Sequence, residues 1–207
     1  MSYILPKPLK VGDTIGVIAP SGPICEQEAI YRAKSFFETM GYQVVFSKHL
    51  FEQDRYLSAP DKARIEDIHW AFSNDEIDTI ICARGGYGAL RLINDIDYNL
   101  IKSNPKNFCG YSDITVLSAM FLKRANLITY SSPMMKGDFG AEKKDKFTMD
   151  SFFKAITNQP QTFVGEKIHK EGKAEGVLWG GNLASIVSLA GIDFIPNEDI
   201  IFFAEDL

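Results

Sequence analysis

Ser112 lies between the apolar run Phe108-Cys109 and the apolar stretch that begins at Ile114, two residues after Gly110. A serine on a sharp strand-to-helix turn presents its hydroxyl outward, with the next backbone N–H aimed into the same space, as in a nucleophile elbow. The pattern is incomplete, because Ile114 stands where G-x-S-x-G has its second glycine. Ser112 and Asp113 are also residue types that cap helices. The run Arg84-Gly85-Gly86-Tyr87-Gly88 likewise leaves an apolar strand and opens a helix. Its glycines either let an anion approach the backbone or serve a tight turn. It matches neither the dinucleotide fingerprint nor the lysine-containing P-loop.

A serine nucleophile requires a base. The sequence has 3 histidines. His49 follows a strand, His69 sits at the edge of an apolar helical face, and His169 falls in a charged segment. None is placed to serve Ser112. No histidine has Cys, Asp or Glu at metal-ligand spacing, so no metal is expected, and nothing calls for an organic cofactor. Cys25, Cys82 and Cys109 contain no C-x-x-C spacing and read as free thiols of a reducing compartment. Glu205, just past an apolar strand, is either an acid entering a cleft or a solvated group.

The elements that must position these residues alternate. Thr14 to Ala19 is an apolar run that stops at Pro20-Ser21-Gly22-Pro23, and Glu28 to Met40 repeats apolar residues at helical spacing up to Gly41. Gln43 to Ser47 reads as a strand, Pro60 to Phe72 as an amphipathic helix and Thr79 to Ala83 as a strand. A helix over Ala89 to Ile93, a strand at Phe108-Cys109, a helix over Ile114 to Lys123 and a strand over Leu127 to Tyr130 follow. Such alternation predicts an α/β fold with a parallel sheet and crossover helices, whose functional loops lie at the carboxyl ends of the strands.

Residues 1–135 form the N-terminal domain in this reading, and 136–175, with its lysine-rich run and glycines, a crossing segment. Residues 176–207 begin a C-terminal α/β domain with Gly176 to Asn182, a helix over Leu183 to Leu189 and a strand over Ile200 to Ala204. Some 30 residues cannot bury such a helix and strand by themselves, which predicts a truncated second domain. With 207 residues, 45% hydrophobic, and a net charge of -5, the composition is globular and gives no general attraction to nucleic acid or anionic lipid. No apolar run approaches the length of a membrane span, so a cytoplasmic protein is expected.

Ile18-Ala19-Pro20-Ser21-Gly22, Arg84 to Gly88, Gly110-Tyr111-Ser112-Asp113-Ile114-Thr115, Leu178-Trp179-Gly180-Gly181-Asn182-Leu183 and Phe203-Ala204-Glu205-Asp206 occur in that order. Together they resemble the LD-carboxypeptidases, which trim murein tetrapeptides, and the related peptidases that confer immunity to the peptide–nucleotide antibiotic microcin C. The resemblance implies a serine peptidase with a Ser-Glu-His triad between two domains, acting without metal or organic cofactor. It implies Ser112 as nucleophile, Glu205 as the acid orienting the histidine, and the backbone N–H groups of Gly86 and Asp113 as oxyanion hole. Arg84, Trp179 and Asn182 stand either at the cleft, holding a murein peptide, or in turns and domain packing. The family's histidine comes from the later part of the C-terminal domain, beyond this chain, so the chain is expected to be an inactive fragment of an enzyme. A homodimer is the oligomer the resemblance implies. A peptidyl-nucleotide substrate and a non-catalytic peptide- or anion-binding module are the alternatives.

Overall fold

The computed structural model describes residues 3–206. Strands β1 (Thr14–Ile18), β2 (Gln43–Phe46), β3 (Thr79–Cys82) and β4 (Asn107–Cys109) form a parallel sheet in the order β2-β1-β3-β4. β1, β3 and β4 are buried along their whole length, which is why each reads, after a polar first residue, as a continuous run without polar alternation. β2 forms an edge and is only partly buried.

Successive side chains of the buried strands enter opposite cores. Ile18, Ile80, Cys82 and Phe108 join Ile68 and Phe72 of α2 (Asp61–Ser73), Ile101 of α3 (Tyr98–Ser103) and Val116 and Met120 of α4 (Thr115–Ala125). Ile15, Val17, Ile81 and Cys109 join Ile30, Ala33 and Phe37 of α1 (Gln27–Thr39) on the other side. Phe139, from a π-helical turn at Met135–Phe139, and Phe152 and Ile156 of α5 (Lys146–Ile156) complete that second core. The predicted parallel α/β architecture is therefore the observed one.

Local outcomes differ at a few elements. α3 and α5 were not anticipated: each begins at an aspartate whose carboxylate accepts from backbone N–H groups of the first turn. Asp97 accepts from Asn99 and Leu100, and Asp145 from Thr148 at 2.7 Å. α5 lies inside the 136–175 stretch read as a crossing segment, yet buries Phe152 and Ile156 in the N-terminal core. The helix expected over Ala89 to Ile93 is present as a short 3-10 helix, Ala89–Leu92. Leu127 to Tyr130 makes single bridges, Ile4 with Leu127 and Cys109 with Tyr130, in place of a continuous strand.

The C-terminal unit is a parallel pair, β5 (Val177–Asn182) and β6 (Ile200–Glu205), joined through α6 (Leu183–Ser188). It docks on the start of α4. Gly181, at φ +140°, lies so close to Thr115 that a Cβ there would come within 2.6 Å of its Oγ1. The Asn182 amide donates to the same oxygen at 3.1 Å. Among the described residues no helix is long and apolar enough to cross a membrane.

Candidate active site

The strand order places β1 between β2 and β3, so the chain diverges to opposite sides at the carboxyl end of β1, the usual ligand crevice of such sheets. The loops after β1, β3 and β4 meet there. Asp113 ties them together: its Oδ2 accepts from Ser21 Oγ at 2.7 Å and from the Ala89 amide at 3.0 Å. Burial pushes its pKa up, against these two bonds and the nearby Arg64 charge, which pull it down. The Gly22 amide also donates to Gly85 O at 3.2 Å.

Arg64 of α2 reaches the same junction. It is 1% exposed, and its Nη1 donates to Pro20 O at 2.6 Å and Gly88 O at 3.0 Å, while Nη2 pairs with Asp61. The first two loops thus converge on one guanidinium. Arg84 folds back onto carbonyls, Nε to Gly85 O at 3.1 Å and Nη1 to Pro23 O at 3.2 Å.

Ser112 is half-buried and has φ +62°, a left-handed conformation that non-glycine residues seldom adopt. Its Oγ makes no hydrogen bond among the described residues. Gly85 lies directly against it. Among the described residues the amides of Gly86 and Asp113 likewise donate to no other group. Ser112, Gly85, Gly86, Arg84, Tyr111 and Lys136 line a pocket of about 520 Å³. A larger cavity of about 890 Å³ runs between α4, α5 and β5, but Ser112 is not among its walls, so size and chemistry point to different places and the chemistry decides.

Glu205 ends β6 opposite Asn182 in the strand register. Its Oε1 is buried with no hydrogen-bond partner among the described residues, a costly state for a carboxylate oxygen. Its charge reaches Tyr111, whose pKa is raised chiefly by burial and further by Asp138 and Glu205. Asn182 uses Oδ1 to cap α6 through the Ser185 amide at 3.0 Å and its Nδ2 to hold Asp206. Trp179 is buried against Phe194 and Phe202. Of the three residues weighed as cleft or packing groups, Arg84 alone lines the Ser112 pocket.

The histidines lie elsewhere. His49 Nδ1 is 2.7 Å from Glu52, His69 Nε2 accepts from the Asp97 amide at 3.0 Å, and His169 is exposed. None lines the pocket. Among the described residues no three His, Cys, Asp or Glu side chains are grouped to hold a metal ion. Two residues that carry the site's architecture were not singled out from sequence, Arg64 and Lys136. Arg64 sits at a polar position of an amphipathic pattern, and Lys136 in a segment without periodicity.

A family model described as the LD-carboxypeptidase N-terminal domain matches residues 15–132. A probable murein peptide carboxypeptidase of Bacillus subtilis (strain 168) is 37% identical over 98% of this chain and 65% of its own length. The crystal structure of an MccF-like protein from Bacillus anthracis superposes with a TM-score of 0.87 at 34% identity, covering 97% of this chain and 69% of that one. MccF in complex with glutamyl sulfamoyl guanosine gives a TM-score of 0.85 at 27% identity, over 97% of this chain and 70% of that one. The chain thus spans about two thirds of the length of these relatives. With the family model matching more than half of the chain and a 37% identical relative aligned along 98% of it, the chain belongs to the LD-carboxypeptidase family.

Proposed function

We propose that this chain carries the nucleophile and oxyanion-hole half of a serine peptidase. In this reading the enzyme hydrolyses the amide between the L-configured centre of meso-diaminopimelate and the terminal D-alanine of a murein tetrapeptide, in the cytoplasm. Ser112 Oγ attacks the scissile carbonyl, and the amides of Gly86 and Asp113 receive the negative oxygen. The observation that carries this is the Ser112 hydroxyl itself, without a hydrogen bond among the described residues, on a left-handed turn against Gly85 in a pocket that Gly86 also lines. The orphan Oε1 of Glu205 is what an acid that orients an imidazole would look like without its partner. In this reading the imidazole is supplied by the part of the relatives' length that this chain does not span, and attack without such a base is slow by several orders of magnitude.

D-Alanine release from murein tetrapeptide is the test, measured on this chain and on a version carrying the rest of the relatives' length. The longer version releases D-alanine, its Ser112→Ala variant does not, and this chain does so barely if at all. Fluorophosphonate labelling that is indifferent to Ser112→Ala in the longer version would instead support a non-catalytic binding module. The similarity to an MccF complex with an aminoacyl-sulfamoyl nucleoside favours a second reading, a peptidyl-nucleotide substrate. Faster hydrolysis of an aminoacyl-nucleotide conjugate than of the tetrapeptide selects it.

A further inference from the structure

The pocket that holds Ser112 is lined by charged groups of both signs, the acids Glu26 and Asp138 among them. Among the described residues its basic groups are Arg32, Arg84 and Lys136. Two of them are committed to fixed backbone carbonyls: Arg32 Nε donates to Gly140 O at 2.8 Å, and Arg84 donates through Nε and Nη1 to Gly85 and Pro23. Lys136 differs. Its backbone is stapled to the end of β3, the amide donating to Ala83 O at 2.8 Å, and the π-helical turn around it is closed by Asp138 accepting from the Met134 amide at 2.8 Å. Single π turns of this kind recur at functional sites. Its Nζ makes one ion pair, with Glu26 Oε1 at 3.2 Å. The lysine side chain is only 21% exposed, whereas Glu26 is 69% exposed. A partly sunken ammonium on a fixed backbone is therefore covered by an exposed carboxylate, and such pairs are weakly held.

We infer that Lys136 is the anchor for the free terminal carboxylate of the substrate, and that Glu26 occupies that place in the unliganded protein. The inference rests on the peptidase reading above and adds to it the reason the enzyme cuts at the chain end. A peptide enters with its last carboxylate displacing Glu26 from Lys136, which sets the preceding amide at Ser112. Peptides lacking that charge leave the Glu26 pair in place. Lys136 is a specificity residue and takes no part in bond making.

The test is a calorimetric titration of the 207-residue chain with murein tetrapeptide and with the same peptide as its C-terminal carboxamide, which needs no catalysis. The free acid binds about tenfold more tightly than the amide, the size expected for one charge-assisted contact. Lys136→Met abolishes that preference and Lys136→Arg keeps most of it, while Glu26→Gln tightens the acid severalfold and leaves the amide unchanged. Near-UV circular dichroism establishes that each variant is folded. Equal binding of acid and amide, equal weakening of both by Lys136→Met, or no binding of either overturns the anchor. Serine-dependent fluorophosphonate labelling of the longer version decides the peptidase reading separately. A serine that labels beside a chain indifferent to the carboxylate leaves the peptidase and removes the anchor, and the converse result does the opposite.

Discussion

Gly85 and Ser112 touch with no room for a methyl group between them: a Cβ built on Gly85 would lie 2.8 Å from Ser112 Cβ and 2.9 Å from its Oγ. The glycine of one loop therefore sets where the hydroxyl of another can stand. Gly85→Ala pushes the serine off its turn without touching either core. The expected result is a loss of Ser112-dependent fluorophosphonate labelling of at least 100-fold in the longer version, the scale of a misplaced reacting group. The melting temperature of the variant moves by only a few degrees. Labelling at the original rate would show that the contact does not position the hydroxyl.

The left-handed backbone at Ser112 stores strain, because a Cβ in that region crowds the following carbonyl by roughly 1–2 kcal/mol. Glycine is free of it. Ser112→Gly and Ser112→Ala both lack the hydroxyl, so their difference isolates the backbone. Ser112→Gly is expected to be more stable than Ser112→Ala by about 1 kcal/mol in urea unfolding. Equal stabilities would mean that the turn relaxes at no cost and that the nucleophile is not held in a strained pose.

Arg64 makes a prediction of the opposite kind. Its guanidinium is buried, and desolvation draws its pKa down while Asp61 supports the charge. Removing it leaves the carbonyls of Pro20 and Gly88 without that donor. Each unsatisfied buried acceptor costs about 1–3 kcal/mol, so Arg64→Met should lose about 3 kcal/mol of stability although its hydrophobic volume is similar. Asp61 retains Arg91 at 2.7 Å and is not stranded. Chemical denaturation measures the loss, and a change within 0.5 kcal/mol would remove Arg64 from the role of tying the first two loops.

Much of this arrangement was legible because the sheet is buried on both faces. Strands such as Thr79 to Cys82 are buried at every position and apolar after the first, and the glycine- or proline-rich break after each one marks where the site is expected. The break after β4 singled out Ser112 and the break after β3 the glycine run Arg84 to Gly88, while the pairing of Gly86 with Asp113 came only from the family resemblance. Arg64 was not singled out, since a lone arginine in Asp61 to Ser73 looks like any solvated helix residue, and only the tertiary approach of Pro20 and Gly88 makes it internal. α5 was hidden by its own cap: Asp145 stands in the charged run 142–146, and the run's solvated appearance obscured the Phe152 and Ile156 pair one helical turn apart. Trp179 and Asn182 carried the family's motif, but that motif serves the docking of β5 on Thr115 and the start of α6 as much as any substrate.

His49 gives a pH dependence whose sign is fixed. Its pKa is raised above 6.5, first by the hydrogen bond to Glu52 and then by the charges of Asp67 and Glu52, with burial and Lys48 opposing; Glu66 lies 3.5 Å from its Nε2. The folded state therefore binds the proton more tightly than the unfolded chain. Its contribution to stability is fully present below about pH 6.5 and is lost as the pH rises through the shifted value. Urea midpoints taken from pH 6 to pH 8.5 should fall for the native sequence and fall less for His49→Gln. Parallel curves for the two proteins would assign the slope to other groups.

The β5–β6 pair leaves apolar surface uncovered among the described residues. Leu178 is 69% exposed, Phe202 49% and Ile201 39%, and the outer edges of the two-stranded sheet have no strand beside them. Two strands alone are marginal in water, and an open apolar edge is a template for another chain. The 207-residue chain should therefore associate as its concentration rises, visible as a growing mass in light scattering. Charges suppress such pairing, so the double substitution Leu178→Lys and Ile201→Lys is expected to keep the chain monomeric over the same range. Neither side chain belongs to the Ser112 pocket, so tetrapeptide binding should survive the change. A native chain that stays monomeric at every concentration would mean that the pair covers its own face well enough in solution.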